Sequence, residues 1–204
     1  MILSTVDDHL RLENRHTGEI LILRRRRRPD GRVAITLDGS LPPGSDGPPP
    51  HTHVVELEEG IVKAGTLGAK VAGREIRVQT GESAAFPAGV RHNWWNAGDE
   101  LLEFSGTAYP AADLDRFLEA VFAVVNASDT RRPNLFWLAH VLWRHRRTQV
   151  MAVPPPPVQK VLFPVILAIG HVLGKYKGDA WPGAPNSIKG APEAAEEPSL
   201  SSRG

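Results

Sequence analysis

A mainly β chain, a sandwich or barrel of short strands followed by a helical segment, is predicted by three observations. Apolar or β-branched runs recur over roughly the first 110 residues, turn signals separate them about every ten residues, and the hydrophobic period lengthens after Ala111. The runs are residues 20–23, 33–37, 54–57, 76–78 and 101–104. They are bounded by Pro29-Asp30-Gly31, Asp38-Gly39, Ala72-Gly73 and Ala97-Gly98-Asp99, residues that favour reversals of the chain. Five consecutive arginines, residues 24–28, follow the first run and precede a Pro-Asp-Gly turn, which places alternate guanidiniums along an exposed strand face.

Beyond Ala111, Leu114, Phe117, Leu118, Val121 and Val125 form one apolar stripe at helical spacing, with Asp113, Arg116 and Glu119 on the other side. A second helix is expected to open with Pro133 in its first turn and run through Leu135, Leu138, Ala139 and Leu142. It ends at Arg144, His145, Arg146 and Arg147, where cations suit the negative end of the helix dipole. Prolines 154–157 introduce a third helix over residues 158–173, kinked at Pro164 and stopped by Gly174. From Pro182 onward the chain is Pro, Ala, Gly, Glu and Ser with two large aliphatic residues, Ile188 and Leu200, too few to offset the entropy of ordering. The expected division is a β-barrel over residues 1–110, a helical extension over 111–180 and a disordered tail over 181–204.

Composition narrows the chemistry. A chain of 204 residues buries one core of ordinary size. It contains no cysteine, so disulfides, thiolate metal sites and thiol nucleophiles are excluded, and any metal must be held by nitrogen and oxygen. Lys plus Arg number 24 against 23 Asp plus Glu, a balance that argues against nucleic acid as a partner and leaves the arginine run a local feature. The amino terminus does not read as a signal peptide, and the longest apolar stretch, residues 161–173, falls short of the roughly 20 residues of a membrane helix. A cytoplasmic protein without a membrane span is the expectation. Neither a phosphate loop, nor a dinucleotide fingerprint, nor a nucleophile motif is present, so a reaction would have to rest on a metal.

The residues that could hold one lie in two stretches. In Pro50-His51-Thr52-His53 the histidines are two apart, which on a strand puts both imidazoles on one face. Glu58 follows five residues after His53, and a turn or bulge must intervene for it to join them. In the second stretch Pro87-Ala88-Gly89 turns the chain and His92 opens a new strand. Three imidazoles and a carboxylate on one interior face would leave positions open for water, substrate or dioxygen. Gly60 on the same strand as Glu58 would leave volume beside the metal, and Trp94 would share the inward face of His92; Gly60, Val62 and Trp94 are the candidate pocket residues. Trp95 would point the opposite way, and Glu56 and Glu59 are expected to be solvated or at a strand edge. His140, His145 and His171 show no ligand spacing.

These two stretches resemble the two motifs of the cupin superfamily. His51, His53, Glu58 and Gly65 match the first, whose opening glycine is out of register here, bracketed by Gly44 and Gly47. Gly81, Pro87, Gly89, His92 and Asn96 match the second at every position. The first motif is similar to germins, while the short linker between motifs is similar to small bacterial single-domain cupins. The resemblance implies a cupin-type double-stranded β-helix, or jelly-roll, barrel. It also implies His51, His53, Glu58 and His92 as ligands of a divalent transition metal, Mn, Fe, Ni, Cu or Zn, and a homodimer whose first 35 or so residues exchange between subunits. The expected function is a metal-dependent enzyme acting on an oxygenated small molecule, as an oxygenase, decarboxylase, lyase or isomerase. The alternative is a non-catalytic cupin that binds or senses a small molecule.

Overall fold

In the computed structural model, which describes residues 9–177, glycine-rich turns join eleven strands and three helices. The strands are β1 (Leu10–Glu13), β2 (Ile20–Arg27), β3 (Val33–Leu41), β4 (His51–His53), β5 (Leu57–Ala64), β6 (Thr66–Val71), β7 (Arg74–Gln79), β8 (Ser83–Phe86), β9 (His92–Asn96), β10 (Leu102–Tyr109) and β11 (Gln149–Met151). The helices are α1 (Leu114–Asn126), α2 (Leu135–Arg144) and α3 (Pro156–Val172). All pairings are antiparallel, in sheets ordered β1-β2-β3-β10-β5-β8 and β11-β4-β9-β6-β7. The two sheets close on each other as a jelly-roll barrel, with Leu41, Val62, Leu67, Ala69, Val78, Phe86 and Leu102 buried between them.

Tight turns register the strands. Gly65 takes φ 77° between β5 and β6, and a Cβ there would lie 2.7 Å from the Leu101 carbonyl oxygen, so only glycine fits. Asn96 fastens the next corner: its amide donates to the carbonyls of Leu41 and Glu100, and its oxygen accepts from Gly98 N–H.

Three expectations need correction. Residues 54–57 do not form one strand, because Val54 and Val55 sit in a bend, 43% and 41% exposed, and β5 starts only at Leu57. That bend lets Glu58 come round toward His51 and His53. Glu56 is not solvated: it is fully buried, and its carboxylate accepts from the Gln149 amide at 3.2 Å. Pro133 lies just before the second helix, which starts at Leu135 under an Asn134 cap whose side-chain oxygen accepts from Phe136 and Trp137 N–H. The expected tail falls outside the described residues.

The helices are built onto the barrel. Leu114, Phe117, Phe122 and Val124 of α1 pack with Leu12, Leu21, Leu23 and Ile35 of the first sheet, each such side chain contributing about 1.5–3 kcal/mol by burial. Arg25 of β2 grips Asp115 of α1 through two hydrogen bonds of 2.7 and 2.6 Å. Within the same run Arg24 pairs with Asp38 at 2.9 Å, Arg27 donates to the Gly31 carbonyl, and Arg28 stacks over Tyr109 at 4.5 Å. The arginine run is thus largely taken up in fastening β2 to its neighbours. His145 at the end of α2 donates to Asp113 before α1 at 2.6 Å. From α2 the chain returns to the barrel, where β11 pairs with β4 and puts Gln149 opposite His53.

Candidate metal centre and cavity

β4, β5 and β9 bring three imidazoles and one carboxylate together. His51 and His53 point inward on alternate positions of β4, 7% and 2% exposed, with His51 opposite His92 of β9, which is 1% exposed. Glu58 stands opposite Phe86 on the β5–β8 ladder, and the Phe86 ring stacks on His92 at 4.8 Å. His51 Nε2 lies 3.0 Å from His53 Nε2, and Glu58 Oε2 lies 3.3 Å from His53 Nε2 and 3.7 Å from His92 Nε2. One ring nitrogen of each histidine falls within 4.8 Å of the other two.

The backbone selects the tautomers. His51 Nδ1 is 2.9 Å from the Pro49 carbonyl and His92 Nδ1 is 2.9 Å from the Val90 carbonyl. A neutral imidazole can approach a carbonyl so closely only through its N–H, so both rings donate from Nδ1 and turn a bare Nε2 inward. His92 Nε2 is buried without a hydrogen-bond partner. Converging lone pairs on buried imidazoles are costly unless a cation or a donor takes them, and the set of imidazoles and a carboxylate suits a divalent transition metal.

Electrostatics follow the same arrangement. Burial, and the neighbouring His53 and His92, push His51 down to about 4, although the Pro49 carbonyl and Glu58 oppose this. Burial alone would raise Glu58, but the charge and hydrogen bonds of the imidazoles, His53 foremost, hold it well below the usual carboxylate range. His53 is raised: burial lowers it, but Glu58, Glu56 and Gln149 together outweigh that. Burial also raises Glu56. Behind His53, its Nδ1 and Gln149 Oε1 are each buried without a partner at full hydrogen-bond distance, a donor and an acceptor on register-paired residues. Gln149 thus stands opposite His53 on the ladder and donates to Glu56 behind it.

The cluster opens on a cavity of about 520 Å³. Its barrel wall includes Leu37, Gly60, Val62, Phe86, Trp94 and Phe104, and its other wall comes from Leu118 and Val121 of α1 with Leu138 and Leu142 of α2. Trp94 and Phe104 meet edge to face at 5.1 Å. Gly60 pairs with Gly106, where a Cβ on Gly106 would lie 2.6 Å from the Glu59 carbonyl, so small residues let β5 and β10 approach. Trp95, on the opposite face from Trp94, covers Gly68 within its own sheet. Glu59 is exposed at the rim.

Glu19 and Gln149 carry no motif signal. Glu19, just before β2, lines the cavity and is 6% exposed. Among the described residues its carboxyl makes no hydrogen bond or ion pair, and burial raises it to about 7. Its alternation with Leu21 and Leu23, both buried, is the one pattern that marks it as inward-facing.

Comparison with known proteins agrees with the barrel. Residues 31–105 match the family model of the cupin domain, Cupin_2. The chain is similar to the oxidoreductase IacF of Pestalotiopsis fici, 30% identical over 121 residues, covering 54% of this chain and 58% of that protein. It thus spans under two thirds of that relative's length. Among solved structures, the oxalate decarboxylase of Lactobacillus farciminis in complex with formate is 19% identical over 52% of this chain and 32% of its own, with a TM-score of 0.44. KdgF from a Halomonas species is 18% identical over 46% of this chain and 81% of its own, with a TM-score of 0.38. The jelly-roll barrel and the buried histidine cluster between its sheets thus coincide with the segment, residues 31–105, that matches the cupin domain.

Proposed function

We propose that the protein is a metal-dependent cupin enzyme acting on an oxygenated, largely apolar small molecule, with His51, His53, Glu58 and His92 as ligands of a divalent Mn, Fe, Ni, Cu or Zn ion. The observation that carries this reading is the convergence of three buried imidazoles and a carboxylate at the foot of the cavity. A bound ion would supply Lewis-acid polarisation of a ligand oxygen or, if redox active, electron transfer. The chain's own residues do the rest. Carbonyls of residues 49 and 90 orient two imidazoles, and Gln149, paired with Glu56, packs behind the third. The apolar walls exclude water, and Glu19 offers a carboxyl able to accept or donate a hydrogen bond near neutral pH. Among oxygenase, decarboxylase, lyase and isomerase chemistries, a redox reaction is supported by the likeness to an oxidoreductase. A homodimer using β1, the edge strand of its sheet, belongs to the same proposal.

Elemental analysis of protein purified without an affinity tag tests the metal. Close to one equivalent per chain is expected. Less than roughly a tenth of an equivalent, with no uptake on reconstitution, would refute the reading. A second reading, a non-catalytic sensor, is favoured by one feature: α1 and α2 form a wall of the cavity, so an occupant touches the helical segment directly. Ligand binding without turnover in metal-loaded protein would select it.

A further inference from the structure

α3 is apolar on two sides. Phe163 and Ile166 on its buried side pack against Ala139 of α2, in line with Gln159, which donates to the carbonyls of Met151 and Pro154, and with Gly170, which lies against Tyr176. A second set, including Val158, Val161, Leu162, Val165, Ile169 and Val172, faces solvent, with Val161 68%, Val165 50%, Ile169 48% and Val172 87% exposed. At about 100° per residue these fall within an arc of about 100°, a continuous stripe running the length of the helix.

The charges carried by the segment that holds α2 and α3 are of one sign. Between Asp129 and Asp179 the chain has no acidic residue and eight Lys and Arg, and all eight side chains are exposed. α2 and α3 run antiparallel, because Trp137 near the start of α2 donates to the Lys175 carbonyl and Tyr176 donates to the Phe136 carbonyl. Lys175 and Lys177 therefore share one end of the hairpin with Arg131 and Arg132. Lys160 shares the other with Arg144, Arg146 and Arg147. An apolar strip bounded by cations at both ends matches an anionic bilayer, whose acyl boundary takes the strip and whose phosphates take the cations. A second copy is a poorer occupant: pairing two stripes, parallel or antiparallel, sets a cationic end against a cationic end. No helix among the described residues is long and apolar enough to cross a membrane, so contact would be in the plane of the surface.

We propose that the exposed face of α3 is a docking surface for an anionic lipid bilayer, with the apolar stripe seated among the headgroups and the flanking lysines and arginines on lipid phosphates. The proposal is independent of the metal centre. It is tested by co-sedimentation of the full chain with vesicles of phosphatidylcholine containing about one third phosphatidylglycerol, beside vesicles of phosphatidylcholine alone. Binding to the anionic vesicles is expected, weakened about tenfold or more when salt rises from about 0.05 to about 0.5 M. The double substitution Val165→Asp and Ile169→Asp is expected to lower binding tenfold or more, and Lys175→Glu with Lys177→Glu to lower it on anionic vesicles only. Unchanged metal content and thermal midpoint would show that these exposed substitutions leave the fold intact. No binding of the full chain to either vesicle would overturn the proposal. So would equal binding of wild type and the double-aspartate variant, or a vesicle-free dimer that the same aspartates dissociate.

Discussion

Replacing Glu19 by Gln should change how the stability of the fold responds to pH. The carboxyl of Glu19 is held at about 7 rather than 4.5, because burial in the cavity wall disfavours its charge. Between those two values the folded chain keeps a proton that the unfolded chain releases, so stability falls as pH rises, and the loss is complete above about 7. At about 1.4 kcal/mol for each pH unit, a change from pH 5 to pH 8 costs the wild type about 2–3 kcal/mol through this one group. Gln has no such proton, and its own cost of burial is the same at both pH values. Urea or thermal unfolding of wild type and Glu19→Gln at pH 5 and pH 8 isolates the effect as a difference of differences. The variant should gain about 2–3 kcal/mol on wild type between the two, or about 5–10 °C in midpoint for a chain of this size. A stability difference that stays the same within about 0.5 kcal/mol would refute the reasoning, because Glu19 would then have a partner or water that holds it near an ordinary value.

Three further outcomes are expected. His92→Ala should lower metal uptake at least tenfold in a competition titration against a chromogenic chelator, since it removes one of the three converging imidazoles. Gln149→Leu should weaken metal binding about 10–100-fold in the same titration while leaving helix content unchanged by circular dichroism, because it removes the amide that stands behind His53 and holds Glu56, without touching a candidate ligand. Asn134→Ala should cost about 1 kcal/mol in urea unfolding through loss of the α2 cap, and Asn134→Asp should retain most of that.

The barrel was legible because its turns are written in residues that have few other uses. Positive-φ glycines at positions 65, 81 and 89 mark corners, and His51, His53 and His92 alternate or pair at positions a sheet brings together. Strands β6, β8 and β11 were not, because their residues are short, small or broken by glycine and show no clear alternation. Val54 and Val55 misled for the opposite reason: β-branched residues favour strands, but the need to carry the chain from β4 to β5 within three residues set a bend instead. The burial of Glu56 and the contact of Gln149 with it depend on a strand that returns 93 positions later, a pairing no local pattern encodes. One wall of the cavity is helical for the same reason. The stripe Leu118, Val121 and Val125 was visible as apolar, but not as the wall of a pocket.

The lateness of β11 also has a meaning for biosynthesis. β4 is three residues long, and its pairing with β9 rests on one residue pair, His51 with His92; its other edge is closed only by β11. While the ribosome is still making residues 100–150, the histidine strand stands as an open sheet edge, available to a neighbouring nascent chain. An ion that gathered His51, His53 and His92 at that stage would hold β4 to β9 before Gln149 arrived, so scarcity of metal during translation, and not only in the finished protein, would be felt as aggregation.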